Sequence, residues 1–284
     1  MIPQQFEYSA PKTLDEALGL LAEGARPLAG GMSLIPMMKL RLSNPEHLVD
    51  LGRIKDLSYI REQGTVIHIG ATTTHHDVES SPLLRGKCPL LAETASHIGD
   101  VQVRNMGTIG GSTAHADPSA DYPAALQALE AKIILRGAKS ERTVLADDFF
   151  VDTFTTALEP GEIVREVIVP VDGDGTGTSY QKVVQPASGF AIVGIAVRIR
   201  KSGDKISMVR IGVTGLSNRA FRATAAEKAL EGRSGTPAEI QAAAGLVGQG
   251  VDANSDLHAS ADYRLHLAAV YAARALAAAI GRVG

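Results

Sequence analysis

One cysteine, Cys88, is all that the 284 residues contain. No internal disulfide can form, and an iron–sulfur cluster, which takes several thiolates, finds no ligand set here. Excess basic charge is also missing. The net charge is -3 and no stripe of Lys and Arg stands out, which argues against a nucleic-acid surface. Met1-Ile2-Pro3-Gln4-Gln5 is not a basic segment leading into an apolar one, so no signal peptide is read. The longest apolar stretch, near Leu267–Ile280, is interrupted by Arg274 and is too short to span a bilayer. A cytoplasmic protein is expected.

Several chemical signatures are absent as well. No G-x-G-x-x-G and no G-x-x-x-x-G-K-[ST] occurs, which disfavours a Rossmann nucleotide unit and a P-loop. No H-E-x-x-H supports zinc, and no G-x-S-x-G supports a serine nucleophile. His75-His76-Asp77 falls on a predicted helix, where adjacent side chains diverge, and His115-Ala116-Asp117 lies beside a glycine pair. No metal site is expected. Cys88 precedes Pro89 with no evident base and reads as a small packed residue. There is no internal repeat.

What is present is ordinary for a packed soluble chain: 45% hydrophobic and 21% charged residues, enough for two modest domains. Phe6-Glu7-Tyr8 reads as a strand. Thr13 and Glu16 form a predicted capping box for a helix carrying Leu14, Ala17, Leu18 and Leu21, ended by Gly24. Pro27-Leu28-Ala29 and His47–Leu51 complete a strand–helix–strand unit. Val66–Gly70, Ile133–Leu135 and Ile163–Pro170 read as strands. Thr74–Ser80 and Pro89–Ile98 read as helices, and Asp117 and Asp121 as acidic caps of a helix running through Ala131. Asp172–Gly177 is polar and glycine-rich, a candidate linker. Beyond it, Ala191–Arg200 and Ile206–Gly215 are β-branched runs forming a predicted hairpin. Helices follow near Arg222–Glu231, Pro237–Gly248 and Ser260–Ala279.

The most informative feature is a pair of glycine pairs, in Ala29-Gly30-Gly31-Met32-Ser33-Leu34 and Thr108-Ile109-Gly110-Gly111-Ser112. Adjacent glycines let the backbone turn sharply and let a ligand approach it closely. Backbone N–H groups in such turns make anion-binding concavities. One pair alone marks an ordinary turn. Two, each opening onto polar residues, predict two walls around one extended, phosphate-bearing ligand.

The order Arg26-Pro27-Leu28-Ala29-Gly30-Gly31-Met32-Ser33-Leu34-Ile35-Pro36, then Gln102–Ser112, then Asp117-Pro118-Ser119-Ala120-Asp121-Tyr122-Pro123, resembles the FAD-binding medium subunits of the molybdenum hydroxylases, the xanthine oxidase family, and within it those of the carbon monoxide dehydrogenase type. Ser260–Arg264 and the alanine-rich helix after it resemble that family's C-terminal domain. The resemblance implies an α+β fold. A two-subdomain FAD domain of the vanillyl-alcohol-oxidase-like type would span 1–175, with subdomains of about 1–55 and 56–175. A smaller domain with an antiparallel sheet and helices would span 176–284.

It also implies roles for matching residues. Pro27, Leu28, Ala29, Gly30, Gly31, Met32, Ser33 and Leu34 would line the adenosine-diphosphate part of FAD. Thr108, Ile109, Gly110, Gly111 and Ser112 would form the second wall. Asp121 would contact the cofactor, and Val164 and Ile98 would touch it through apolar atoms. Lys182 would lie near the isoalloxazine ring and Phe190 would shield it. No residue of this chain is assigned acid–base work. A large molybdenum-cofactor subunit and a small subunit with two [2Fe–2S] clusters are the implied partners, assembled as a dimer of heterotrimers in the cytoplasm or peripherally at the inner membrane face. The alternative reading is a free-standing flavin reductase or carrier.

Overall fold

The computed structural model describes residues 2–284. The chain opens with β1 (Glu7–Ser9), α1 (Leu14–Ala22), β2 (Arg26–Leu28), α2 (Leu34–Lys39) and β3 (His47–Asp50). The strands pair in parallel in the order β1-β3-β2. Thr13 caps α1 by accepting from the Glu16 N–H at 3.3 Å. Only half of the expected capping box forms, because the Glu16 carboxylate accepts from the Lys12 N–H instead. Gly24, at φ +99°, stops the helix, a conformation that costs glycine little. Ala17, Leu18 and Leu21 recur at helical spacing and close on Val49 and Leu51.

Next come β4 (Ile60–Gln63), β5 (Val66–Gly70), α3 (His75–Ser80), α4 (Pro82–Lys87), α5 (Pro89–Ser96), α6 (Val101–Met106), α7 (Ile109–His115) and α8 (Asp121–Ala128). They are followed by β6 (Lys132–Arg136), β7 (Glu141–Leu145), α9 (Ala146–Phe149), β8 (Phe150–Asp152), β9 (Thr155–Thr156) and β10 (Ile163–Pro170). Five strands make one antiparallel sheet in the order β4-β5-β10-β6-β7. The period of two in a strand puts Ile67, Ile69, Ile133, Leu135, Val167 and Val169 on one face. There they meet Leu90, Leu91, Leu126, Leu129 and Tyr122 from α5 and α8.

Two expectations fail here. Gly110 and Gly111 lie in the first turn of α7, not in an open loop. The helix predicted through Ala131 ends at Ala128, and Glu130 turns at φ +50°. Its N-cap is Ala120, without a side-chain cap. Asp121 is already helical and its carboxylate points elsewhere.

The remainder is β11 (Thr176–Val184), β12 (Ala191–Ser202), β13 (Lys205–Thr214), β14 (Phe221–Arg222), α10 (Thr224–Leu230), α11 (Pro237–Ala244) and α12 (Ala261–Gly281). The strands form an antiparallel sheet in sequence order. It is covered on both faces, which explains why β12 reads as a nearly unbroken apolar run. Val193, Ile195, Val197 and Ile199 face the core shared with α10, α11 and α12. Ala196 faces the other way, into the core that holds α5 and α8. Each fully buried aliphatic side chain contributes about 1.5–3 kcal/mol, so packing, more than the hairpin turn, holds this sheet. Gly212 lets α8 sit directly on β13, since a Cβ there would lie 1.9 Å from the Ala124 carbonyl oxygen.

The seam between the last sheet and the preceding helices is polar. Tyr180 N–H on the outer strand β11 donates to the Glu93 carboxylate at 3.0 Å. Arg282 donates both to Glu93 and to the Thr178 carbonyl. These side chains occupy groups of a sheet edge that would otherwise be open to another strand.

Candidate functional site

The two glycine segments meet. A Cβ on Gly30 would fall 1.9 Å from the Met106 carbonyl oxygen and 2.7 Å from the Gly107 Cα. A Cβ on Gly111 would come within 3.9 Å of the Ala29 Cβ. The first turn is therefore seated against the end of α6 and the start of α7.

The four glycines do different work. Gly30 and Gly110 are packing residues, because a Cβ on Gly110 would lie 2.4 Å from the Ala71 Cβ. Gly31 is buried and adopts φ +74°. Gly111 is exposed and its nearest neighbour is the Thr108 hydroxyl, which caps α7 through the Gly111 N–H at 3.2 Å.

The fates of the N–H groups separate the two segments further. Ile109 donates to the Thr73 carbonyl and Gly110 to the Ala71 carbonyl. In the first turn, the N–H groups of Gly30, Gly31, Met32 and Ser33 have no protein acceptor among the described residues. Ser33 stands at the N-cap of α2 but makes no capping bond. Buried backbone donors are nearly always paired, and a half-buried run of unpaired ones fits an anionic ligand. This donor set fits a pyrophosphate.

A second cluster lies where β11 crosses the N-terminus of α8. Lys182 and Tyr180 sit two residues apart on one face of β11, and both reach Asp121. The Lys182 ammonium lies 2.8 and 2.9 Å from the two Asp121 carboxylate oxygens and donates to the His97 carbonyl at 2.9 Å. The Tyr180 hydroxyl donates to Asp121 Oδ1 at 2.5 Å. The Lys182 side chain is fully buried. Burial raises the Asp121 carboxyl above its ordinary value, opposed by the Lys182 ammonium and the Tyr180 hydroxyl. Burial likewise raises the Tyr180 phenol.

Ile98 and Phe190 lie beside this cluster. Arg104 donates to the Ile98 and Gly99 carbonyls. The turn 185–190 places Gly189, at φ +76°, against Gly99, leaving the Phe190 ring partly exposed. Helix α6 joins the two clusters, running from Gly99 and Asp100 to the seat of Gly30. Its six residues span about 9 Å. Val164 is buried in β10, within the main core, and β10 packs against α7. Ser112 is half-buried beyond Gly111.

The sequence reading missed Tyr180 as a site residue, the His97 carbonyl, Ala71 and the Met106–Gly107 seat. Tyr180 was findable, because the i, i+2 spacing to Lys182 puts both on one strand face. Backbone seats leave no mark on side-chain identity. His75, which the sequence places on a helix beside His76, is a support residue of this region. It is buried, stacks edge-on against Tyr122 at 5.2 Å, and touches the underside of Gly107. Burial, aided by Arg104, pushes its imidazole down to about 4. The Nδ1 of His75 and the Tyr122 hydroxyl have no partner among the described residues. A separate cleft of about 450 Å³ opens on the seam beside Arg85, Glu79, Glu93 and Arg282. Glu79 and Glu93 are already paired with Arg104 and Arg282.

Residues 4–172 match the family described as FAD binding domain in molybdopterin dehydrogenase. The chain belongs to that family. Residues 178–279 match the CO dehydrogenase flavoprotein C-terminal domain. Among curated relatives, the carbon monoxide dehydrogenase medium chain of Hydrogenophaga pseudoflava is 45% identical, covering 99% of each chain. The glyceraldehyde dehydrogenase medium chain of Sulfolobus acidocaldarius is 39% identical over 97% of this chain and 98% of that one. The solved structure of carbon monoxide dehydrogenase from Hydrogenophaga pseudoflava, in a form lacking the Mo-pyranopterin moiety of its molybdenum cofactor, superposes with a TM-score of 0.97. It is 46% identical, with both chains covered completely. The molybdopterin-dehydrogenase family assignment and the α+β fold thus agree with the motif order in the sequence. No helix among the described residues is long and apolar enough to cross a membrane.

Proposed function

We propose that this chain is the FAD-carrying, electron-transfer subunit of a molybdenum-containing hydroxylase. The observation that carries the reading is the run of unpaired N–H groups at Gly30–Ser33, seated where the two glycine segments meet. Bound FAD supplies the chemistry, accepting electrons from iron–sulfur clusters and releasing them to an external acceptor. The protein binds, orients and tunes it. Pro27 through Leu34 would hold the diphosphate, with Thr108 through Ser112 as the facing wall. Ile98 and Val164 would make apolar contact, and Phe190 would cover the ring system. Asp121 and Lys182 would set the charge beside it.

The single cysteine supports placing the clusters in another chain. The partners are a large molybdenum-cofactor subunit and a small subunit with two [2Fe–2S] clusters, assembled as a dimer of heterotrimers. We place the complex in the cytoplasm, with peripheral attachment at the inner membrane face as the finer reading. The FAD domain spans 1–175, divided near residue 55, and the C-terminal domain 176–284. Relatives named for carbon monoxide and for glyceraldehyde share this architecture, which supports substrate choice in the molybdenum subunit.

An absorption spectrum of the purified chain, with the released chromophore identified by mass, tests the reading. Oxidised-flavin bands and released FAD are the expected result, with a cysteine-rich chain and a larger one co-purifying. Protein that is colourless alone and in its complex, and that ignores added FAD, overturns it.

A further inference from the structure

We propose that Tyr180 is a positioning residue for the flavin, acting through Asp121 and Lys182; this rests on the FAD reading above. An isolated buried ion pair can adopt several geometries. Here three contacts leave one. The Lys182 ammonium is held between both oxygens of Asp121 and the His97 carbonyl. The Asp121 carboxylate is in turn held by the Tyr180 hydroxyl. The fold makes room for that hydroxyl. Gly194 stands opposite Lys182 in the β11–β12 register, and a Cβ there would lie 2.5 Å from the Tyr180 oxygen. The tyrosine ring is buried and touches the seam from the C-terminal side, whereas Asp121 comes from α8.

The consequence is electrostatic. Two electrons and one proton taken up by a neutral flavin leave one negative charge on its ring system. A fixed cation beside the ring favours that state and a bare carboxylate opposes it. The Tyr180 O–H dipole, aimed at Oδ1, offsets part of the Asp121 charge and keeps the carboxylate from turning freely. Removing the hydroxyl makes the field of the pair more negative and lowers the flavin's midpoint potential.

The test is a redox titration of the full chain loaded with FAD, followed by flavin absorbance, with FAD content measured separately. Tyr180→Phe is expected to keep its FAD and to titrate at lower potential than the parent. Lys182→Met is expected to shift further in the same direction. Gly194→Ala, which keeps the hydroxyl but crowds it at 2.5 Å, along with the Thr214 methyl at 2.8 Å, and so displaces it from Asp121, is expected to shift downward too. An unchanged potential in Tyr180→Phe with full FAD overturns the proposal. If Tyr180→Phe does not fold, an unchanged potential in Gly194→Ala overturns it. If neither folds, the hydroxyl is a structural strut and the proposal falls. Failure of the parent chain to take FAD is a different result, and it removes the flavin reading itself.

Discussion

At Gly30–Gly31 the chain turns with N–H groups that find no acceptor among the described residues, whereas at Gly110–Gly111 the N–H groups of Ile109, Gly110 and Gly111 are all held by protein oxygens. The two segments share a glycine pair with a serine one or two residues beyond it, yet their amides are used differently. Each pair has one glycine packed against other protein atoms, Gly30 on the Met106 carbonyl and Gly110 on Ala71. What separates the pairs is that the amides of the first have no acceptor among the described residues and those of the second are used by the fold. A glycine pair in a sequence says that something comes close. The hydrogen-bond fate of its amides says what.

The comparison breaks most visibly at Gly110. Gly110→Val would force side-chain carbons into the Ala71 backbone and Cβ, which helix α7 cannot avoid without leaving β10. Overpacking of this kind costs about 1–3 kcal/mol and occasionally more, and a clash with backbone atoms lies at the upper end. Thermal unfolding of the flavin-free protein should therefore fall sharply, independent of added FAD. Loss of FAD with unchanged apoprotein stability would show instead that Gly110 faces the ligand.

His75 tests the support under the second segment. Its imidazole titrates near 4 in the fold against 6.5 in the unfolded chain. Below pH 6.5 the unfolded state takes a proton that the folded state refuses. Stability is thus complete above 6.5 and declines as pH falls toward 4, by about 3 kcal/mol across the window. His75→Asn should lose that slope while carrying a constant offset from lost packing. Equal slopes in urea unfolding at pH 4.5 and pH 7 for parent and variant would remove His75 from this role.

Much of this was legible in the residues. The apolar period of α1, the β-branched hairpin of β12 and β13, and the alanine-rich α12 follow from local patterns that tertiary contacts then reinforce. The motif order carried the family. The failures share a physical cause. That Gly110 and Gly111 are helical depends on Thr108 capping α7 and on acceptors at Ala71 and Thr73, which come from a segment some 35 residues away. That Lys182 is buried and paired depends on β11 crossing α8. A lysine flanked by Gln181 and Val183 looks like a solvated strand residue until its partner across the seam is known. Side-chain identity encodes local periodicity well and long-range backbone acceptors hardly at all.

Gly31→Ala should have a smaller effect on the fold and a larger one on the ligand. A φ of +74° costs a residue with a Cβ about 1–2 kcal/mol. The steric part is mild, because the nearest atom is the flexible end of Ile35. The turn relaxes toward a conformation that swings the free N–H groups away from a common point. FAD affinity, measured by equilibrium dialysis, should drop about tenfold for each 1.4 kcal/mol of lost donor geometry.

Gly111→Ala sets the lower bound. Its Cβ would meet only the Thr108 hydroxyl, at 2.8 Å, with Ala29 at 3.9 Å. The hydroxyl can rotate away at the cost of a cap, about 1 kcal/mol or less, and alanine regains some of that as a better helix former than glycine. The apoprotein should unfold at nearly the parent temperature. FAD affinity then becomes the informative readout. A clear loss with unchanged stability means that the ligand passes over Gly111, so this glycine, unlike Gly110, shares the duty of the first pair. Unchanged affinity means that the second segment serves the fold alone and that the first turn binds the diphosphate by itself.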